Sequence, residues 1–406
     1  MNVGKLSPWL VVALSVLVSA CGGDSSDKAA FSSRAELGES LFADTNLSLN
    51  RTQSCATCHD PERAFTDGRT GSDGKVRAVS LGDDGTSLGD RNAPTASYAS
   101  FSPAFAFGSR SRFNSQQSDY EGWLGGQFHD GRATDLQTQA GGPPLNPLEM
   151  GMADRAAVID RLLENPDYVD SFEALYGADI FDDVDAAYQA LTDAIAEFEK
   201  TDVFAPFDSA YDRYLAGDTD VYDVILHPKA ALGKTLFFSQ QFTNCATCHQ
   251  LNAQGSKTET FTGYEYHNIG VPVNQAVRAA NGVTGQDTGL QNNNEAVSAA
   301  SERGKFKVPT LRNVAVTAPY MHNGVFAELE TVIRFYDHHL TGSTNTINPE
   351  TGVAWADAEV PATVSTVELR DGSLLDDDDV TALVCFLRTL TDSRYEALLP
   401  DDNLCD

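Results

Sequence analysis

The chain has 406 residues, 41% of them hydrophobic, enough to bury two modest cores or one large one. Its 28 lysines and arginines stand against 58 aspartates and glutamates, a formal net charge of -30. Such an acidic surface repels phosphate backbones and anionic lipid head groups; this excludes nucleic-acid binding, and the plain reading of the charge is solubility. Seven cysteines and four methionines are few enough to be taken one at a time.

At the start of the chain, Lys5 precedes an apolar run, Trp9 to Val18, which ends in Ser19-Ala20 ahead of Cys21-Gly22-Gly23. The run is too short to span a bilayer comfortably and reads as an export signal over residues 1–20. A cysteine directly after Val18-Ser19-Ala20 resembles the lipobox of bacterial lipoproteins, which implies cleavage before Cys21 and lipidation of its sulfur. An ordinary signal with an incidental cysteine is the alternative. Residues 21–33 then form the lipidated cysteine and a tether rich in Gly, Ser and Asp. The rest of the chain is expected on the periplasmic side, in an oxidising compartment, with a lipid anchor as its only hold on a membrane.

A short amphipathic segment, Ala35 to Phe42, leads to Cys55-Ala56-Thr57-Cys58-His59. From there to about Leu148, Gly, Ser, Asp, Asn and Pro dominate and predict long ordered loops. Helical spacing returns at Arg155–Leu163 and in the stripe Val184, Tyr188, Leu191, Ile195 and Phe198, and Asp202 to Pro206 breaks it. A second block repeats the order: a helix at Lys229–Phe238, then Cys245-Ala246-Thr247-Cys248-His249, then loops to about Lys307. Two helices close it, about Glu328–His339 and about Asp377–Leu390. The acidic run Asp376–Asp379 suits the positive end of that last helix and reads as a cap. The echo of Gly38-Glu39-Ser40-Leu41-Phe42 in Gly233-Lys234-Thr235-Leu236-Phe237, each ahead of its cysteine pair, predicts two related domains, 34–203 and 204–396, with a tail at 397–406.

Cys-x-x-Cys-His is the attachment signal for c-type haem: both thiols add to the vinyl groups, and the adjacent imidazole takes an axial place on iron. A zinc site would need the pairs to converge with spare histidines, and a redox dithiol or a disulfide has no use for the histidine. Two such blocks predict two covalent haems, held by Cys55, Cys58 and His59 and by Cys245, Cys248 and His249, in a mainly α fold of two cytochrome c-like domains. Once the signal is removed, only Met150, Met152 and Met321 remain as thioethers, and no His or Met lies between His59 and His129. The iron on His59 therefore has few local groups to close its far side, which favours a reactive haem.

These features resemble the bacterial di-haem cytochrome c peroxidases and their relative MauG, from about Leu37 to about Leu390. The resemblance rests on both haem motifs, on Arg91-Asn92-Ala93-Pro94-Thr95 and Gln127-Phe128-His129-Asp130-Gly131-Arg132, on Gln139 through Asn146-Pro147-Leu148-Glu149-Met150, and on Val308 to Asn313 and Ala318 to Gly324. It implies that the first haem is peroxidatic and the second passes electrons. It also implies that Glu149 moves a proton between the peroxide oxygens, with Gln139 in the same pocket and Pro143 lining it. A carboxylate suits that work, because O–O cleavage needs a base and then an acid. Asn92, Thr317 and Pro319 match the residues that hold a calcium ion between the domains, the last two through carbonyl oxygens, a donor type suited to a hard cation.

Three departures from the family pattern stand out. The loop from Asp60 to Asp90 lacks the histidine that in many relatives blocks the first iron until the second haem is reduced. Fourteen residues after His322, where peroxidases carry a methionine ligand, stands Tyr336, the ligand type of MauG, with Met321, His338 and His339 as nearby alternatives. The tryptophan between the haems is replaced by His129, a poorer station for charge. Trp123 and Tyr120, in an extra stretch of about Ser109 to Gly126, read as packed aromatics before they read as a replacement relay. Cys385 and Cys405 most simply pair, with a free buried Cys385 as the alternative.

The expected activity is reduction of hydrogen peroxide with electrons from a small cytochrome or another periplasmic donor. The alternatives are a MauG-like oxidase that modifies residues of a partner protein and a non-catalytic two-haem carrier. The resemblance also implies that a homodimer is possible.

Overall fold

The computed structural model describes residues 30–112, 117–251, 259–291, 293 and 297–405; the expected export signal and the expected lipidation site at Cys21 lie outside the described residues. Thirteen α-helices are present among the described residues. In the first half they are α1 (Arg34–Ala43), α2 (Cys55–Cys58), α3 (Leu136–Ala140), α4 (Arg155–Leu162), α5 (Pro166–Tyr176) and α6 (Val184–Glu199). In the second they are α7 (Ala210–Leu215), α8 (Pro228–Phe238), α9 (Cys245–Cys248), α10 (Gln275–Asn281), α11 (Leu329–His339), α12 (Thr366–Leu369) and α13 (Asp377–Arg388). Strands are confined to two small antiparallel pairs, β1 (Ala106–Arg110) with β2 (Tyr120–Leu124), and β3 (Tyr266–His267) with β4 (Phe306–Lys307).

The sequence echo has a physical basis. Gly38 of α1 lies so close to α6 that a Cβ there would sit 1.9 Å from the Ala194 carbonyl oxygen and 3.0 Å from the Phe198 Cβ. In the second half a Cβ on Gly233 of α8 would sit 1.8 Å from the Ala382 carbonyl oxygen and 2.9 Å from the Phe386 Cβ of α13. Each domain thus has one helix crossing in which only glycine fits, and each crossing anchors its own apolar core. The run at Asp376–Asp379 caps α13, with the Asp376 carboxylate accepting from the Asp379 N–H at 2.9 Å.

Five helices escape the periodicity reading. Four are of seven residues or fewer, and α5 is marked only by its Asn165 cap and Pro166. The stretch expected as loops also contains the β1–β2 hairpin, and this hairpin leaves its own domain to lie on the second. Arg112 forms a fully buried ion pair with Glu265 at 2.9 Å and donates to the Thr247 carbonyl between the second pair of haem cysteines. Arg110 Nε donates to Gly263 O at 3.0 Å, and Tyr266 Oη donates to Gly125 O at 2.6 Å. The alternatives at the C-terminus are resolved: Cys385 and Cys405 form a disulfide joining α13 to the tail. None of the described helices is long and apolar enough to cross a membrane.

Candidate active site: two haem-binding centres

Around the first motif, α2 presents Cys55 and Cys58 and ends at His59, whose Nδ1–H donates to the Phe65 carbonyl at 3.1 Å. That bond fixes the tautomer and leaves Nε2 free to meet a metal. Phe65 can offer its carbonyl because its backbone adopts the left-handed conformation, with φ +53°. Burial keeps the His59 imidazole neutral and pushes the Cys55 and Cys58 thiols up, to about 12 and about 11.

The motif faces a cavity of about 500 Å³, within the usual range for a small-molecule site. Gln139, Pro143, Glu149, His129 and Asn92 line the same space. The sequence-predicted residues of the first haem therefore converge on one chamber whose volume and donor set fit a haem. Gln139 comes from α3, Pro143 opens the following 3₁₀ turn, and Glu149 sits just past it, where its own N–H donates to Asn146 O at 3.0 Å. Burial raises the Glu149 carboxyl above the ordinary carboxylate range, against the smaller pull of Arg132 and Asn146. Arg132 lies 3.7 Å from the Phe128 ring centroid and shares Asp130 with Arg91.

His129 sits on the seam between the domains. Its Nε2–H donates to the Asn92 carbonyl at 2.9 Å, and its own carbonyl accepts from the Lys307 N–H at 2.8 Å. Burial, aided by Arg91 and Lys307, holds its imidazole down at about 4, so it is neutral at pH 7. Arg91 bridges the same seam through bidentate bonds to Asp287, both 2.7 Å.

The second motif repeats the geometry of the first. His249 Nδ1–H donates to the Phe261 carbonyl at 3.1 Å, and Phe261 has φ +55°. Tyr336, on α11, is half-buried, and loss of solvent around its hydroxyl, followed by the nearness of Cys248 and Cys245, drives its phenol upward. Of the alternative ligands, Met321 packs with Val271, Phe326 and Phe335, His338 Nδ1–H donates to Asn345 O at 2.9 Å, and His339 lies against Gly270 with its Nε2 buried and unpartnered. Tyr120 stands 5.4 Å, centroid to centroid, from His267, while Trp123 stacks on Phe105 at 4.9 Å, outside the first cavity.

At the implied calcium site, the Asn92 N–H donates to His322 O at 2.8 Å and its side-chain amide donates to Ala78 O at 3.0 Å. Thr317 Oγ1 donates to Val314 O at 3.3 Å, and Pro319 follows a cis peptide bond.

Sequence reasoning assigned no role to Arg132, which only its motif marks, or to Glu199, a buried carboxyl on the cavity wall. Glu199 ends an amphipathic helix, where a glutamate ordinarily reads as solvent-facing.

Residues 32–220 match the family described as di-haem cytochrome c peroxidase, and residues 230–391 match cytochrome c. The chain is 47% identical over 392 residues to the methylamine utilization protein MauG of Paracoccus denitrificans, covering 96% of each. It is 30% identical to the cytochrome c551 peroxidase of Nitrosomonas europaea, over 90% of this chain and 82% of that one. The solved structure of the di-haem peroxidase BthA from Burkholderia thailandensis matches with a TM-score of 0.76 at 30% identity, covering 92% of this chain and 89% of that one. Two cytochrome c-like domains, each built around a Cys-x-x-Cys-His turn, and this likeness along nearly the whole chain lead to one conclusion: the protein belongs to the family of di-haem cytochrome c peroxidases and MauG, oxidoreductases with two c-type haems.

Proposed function

We propose that this protein is an exported, lipid-anchored di-haem peroxidase that reduces hydrogen peroxide to water at the haem of His59. The observation that carries the reading is the single cavity shared by His59, Glu149 and Gln139. Bound there, haem iron supplies a place for a peroxide oxygen and a route for electrons. Glu149 would take a proton from one peroxide oxygen and return it to the other, which would leave as water; overall, peroxide, two electrons and two protons give two waters. The carboxyl of Glu149, raised by burial above the ordinary carboxylate range, supports a group able both to take and to give a proton. Gln139 orients the peroxide by hydrogen bonding, and Pro143 keeps the wall apolar.

His249 and Tyr336 would hold the second haem, which would supply a point of entry for electrons, with a small basic redox protein, drawn to the acidic surface, as donor. Asn92, Thr317 and Pro319 hold a calcium ion at the seam. The loop after the first motif is fixed in place: the Asp83 carboxylate accepts from Ser48, Asn50 and Thr52, and Arg278 and Asn281 hold Asp90. This supports a first haem that reacts in the oxidised state.

A second reading is a MauG-like oxidase that draws electrons from residues of a partner protein. Tyr336 beside Cys245 and Cys248 favours it, because a phenolate ligand stabilises oxidised iron. Stopped-flow spectra of the oxidised, haem-loaded protein with peroxide test both readings. A high-spin haem that reacts without prior reduction supports an enzyme, and the reductant that restores the starting spectrum, a small cytochrome or a protein side chain, separates peroxidase from oxidase. Two low-spin, peroxide-inert haems would leave an electron carrier.

A further inference from the structure

Glu199 is the last residue of α6, is 5% exposed, and lines the first haem cavity with Phe42, Cys55 and Ile195. Its Oε2 is buried with no hydrogen-bond partner. An unpaired carboxyl in such a place is costly, by roughly 1–3 kcal/mol on protein-based scales even when neutral.

The internal repeat shows that the scaffold does not require it. Phe198 and Phe386 are equivalent, since each packs its Cβ against the glycine of its domain's helix crossing. The next residue is Glu199 in the first domain and Leu387, 7% exposed, in the second. The same buried position therefore carries a carboxyl beside the first haem and a plain aliphatic group beside the second.

We propose that Glu199 is a proton-carrying residue of the first haem: its carboxyl releases a proton into the cavity when the haem loses an electron and recovers it on reduction. The proposal rests on haem attachment at Cys55 and Cys58 and not on peroxide chemistry. On oxidation one electron leaves for an external acceptor, the carboxyl O–H bond breaks, and the proton passes to water at the cavity mouth, where Leu148 is 41% exposed. The carboxylate left behind compensates the positive charge gained by the buried haem, in surroundings where low polarity strengthens that attraction.

The groups packed directly against it are apolar: α1 contributes Phe42, and α2 contributes Cys55, a neutral thioether once haem is attached. The same cavity is lined by the charged or titratable groups Asp90, Arg91, His129, Arg132, Glu149, Arg278 and Asp287, with His129 held neutral, and none of them shifts the Glu199 carboxyl. Burial alone raises the Glu199 carboxyl to about 8, so it retains its proton at neutral pH until a nearby positive charge appears.

The test is a potentiometric titration of the full, haem-loaded chain at a series of pH values, without peroxide, for the wild type, Glu199→Gln and Glu199→Leu. In the wild type one of the two midpoint potentials should fall with rising pH by about 59 mV per unit, the tenfold-per-unit coupling of one proton to one electron. In both variants that slope should vanish while the other haem keeps its potential; a slope that persists in either variant overturns the proposal. The infrared difference spectrum between reduced and oxidised wild type should show loss of a protonated carboxyl band, absent in Glu199→Gln. If neither variant binds haem, that band in the wild type decides, and its absence overturns the proposal. Peroxide reactivity, measured separately, bears on the peroxidase reading alone.

Discussion

Tyr98 of the first domain donates a 2.5 Å hydrogen bond to the buried carboxylate of Asp392 in the second. The other oxygen of Asp392 accepts from Asn313 Nδ2 at 2.8 Å, and Asn313 Oδ1 accepts from the Asp392 N–H at 2.8 Å. Tyr98 and Asn313 share the left-handed conformation, φ +61° in both, and follow the two Pro-Thr turns at Pro94 and Pro309. One carboxylate thus joins corresponding points of the two halves. Tyr98→Phe, which leaves an oxygen of Asp392 short of a partner, should cost about 1–3 kcal/mol in denaturant unfolding. Both haem spectra should survive the change.

Glu149→Gln should keep the cavity's shape and remove its proton carrier. The reaction of oxidised protein with peroxide should slow by about 10²–10⁴-fold, the usual worth of general acid–base help, with unchanged resting spectra in stopped-flow. An unchanged rate would remove Glu149 from the proposed chemistry.

Tyr336→Phe should alter the spectrum of one haem only. The haem of His249 should lose its phenolate signature while the haem of His59 keeps its own, as checked by electron paramagnetic resonance. A spectrum identical to wild type would return the choice to His339 or Met321.

Much of this was legible in the sequence, for identifiable reasons. The haem turns are local, since one turn of helix suffices to place Cys55, Cys58 and His59, and Gly38 and Gly233 mark their helix crossings within a visible repeat. Gln139, Pro143 and Glu149 could be placed because a short, turn-rich segment carries all three. Glu199 and the Tyr98–Asp392 bond could not, because each depends on which distant residues face it. The hairpin's destination was hidden for the same reason: nothing near Arg112 announces that Glu265 will be its partner.

Acid should loosen the domain seam. Burial holds His129 at about 4 and His322 at about 3, whereas in the unfolded chain both titrate near the ordinary 6.5. A depressed histidine leaves full stability above pH 6.5; stability is then lost as pH falls through 6.5 towards the folded values, because the unfolded state binds the proton first. Unfolding midpoints measured from pH 7 to 4 should therefore decline, and His129→Gln should flatten part of that decline.

Arg112→Met should leave the buried Glu265 side chain with His267 and Gln250 as its remaining side-chain partners. Breaking a buried pair from one side costs about 3–5 kcal/mol. The hairpin at Ala106–Leu124 should then become sensitive to limited proteolysis before the helices do.

The hairpin's landing place also makes the second centre a shared construction. Arg112 docks on the carbonyl of Thr247, between the two cysteines of the second motif, and lies 135 positions earlier in the chain. A segment of the first half therefore supplies part of the wall behind the second haem-binding turn, and a change in that hairpin is felt at a centre to which its own half contributes no haem cysteine.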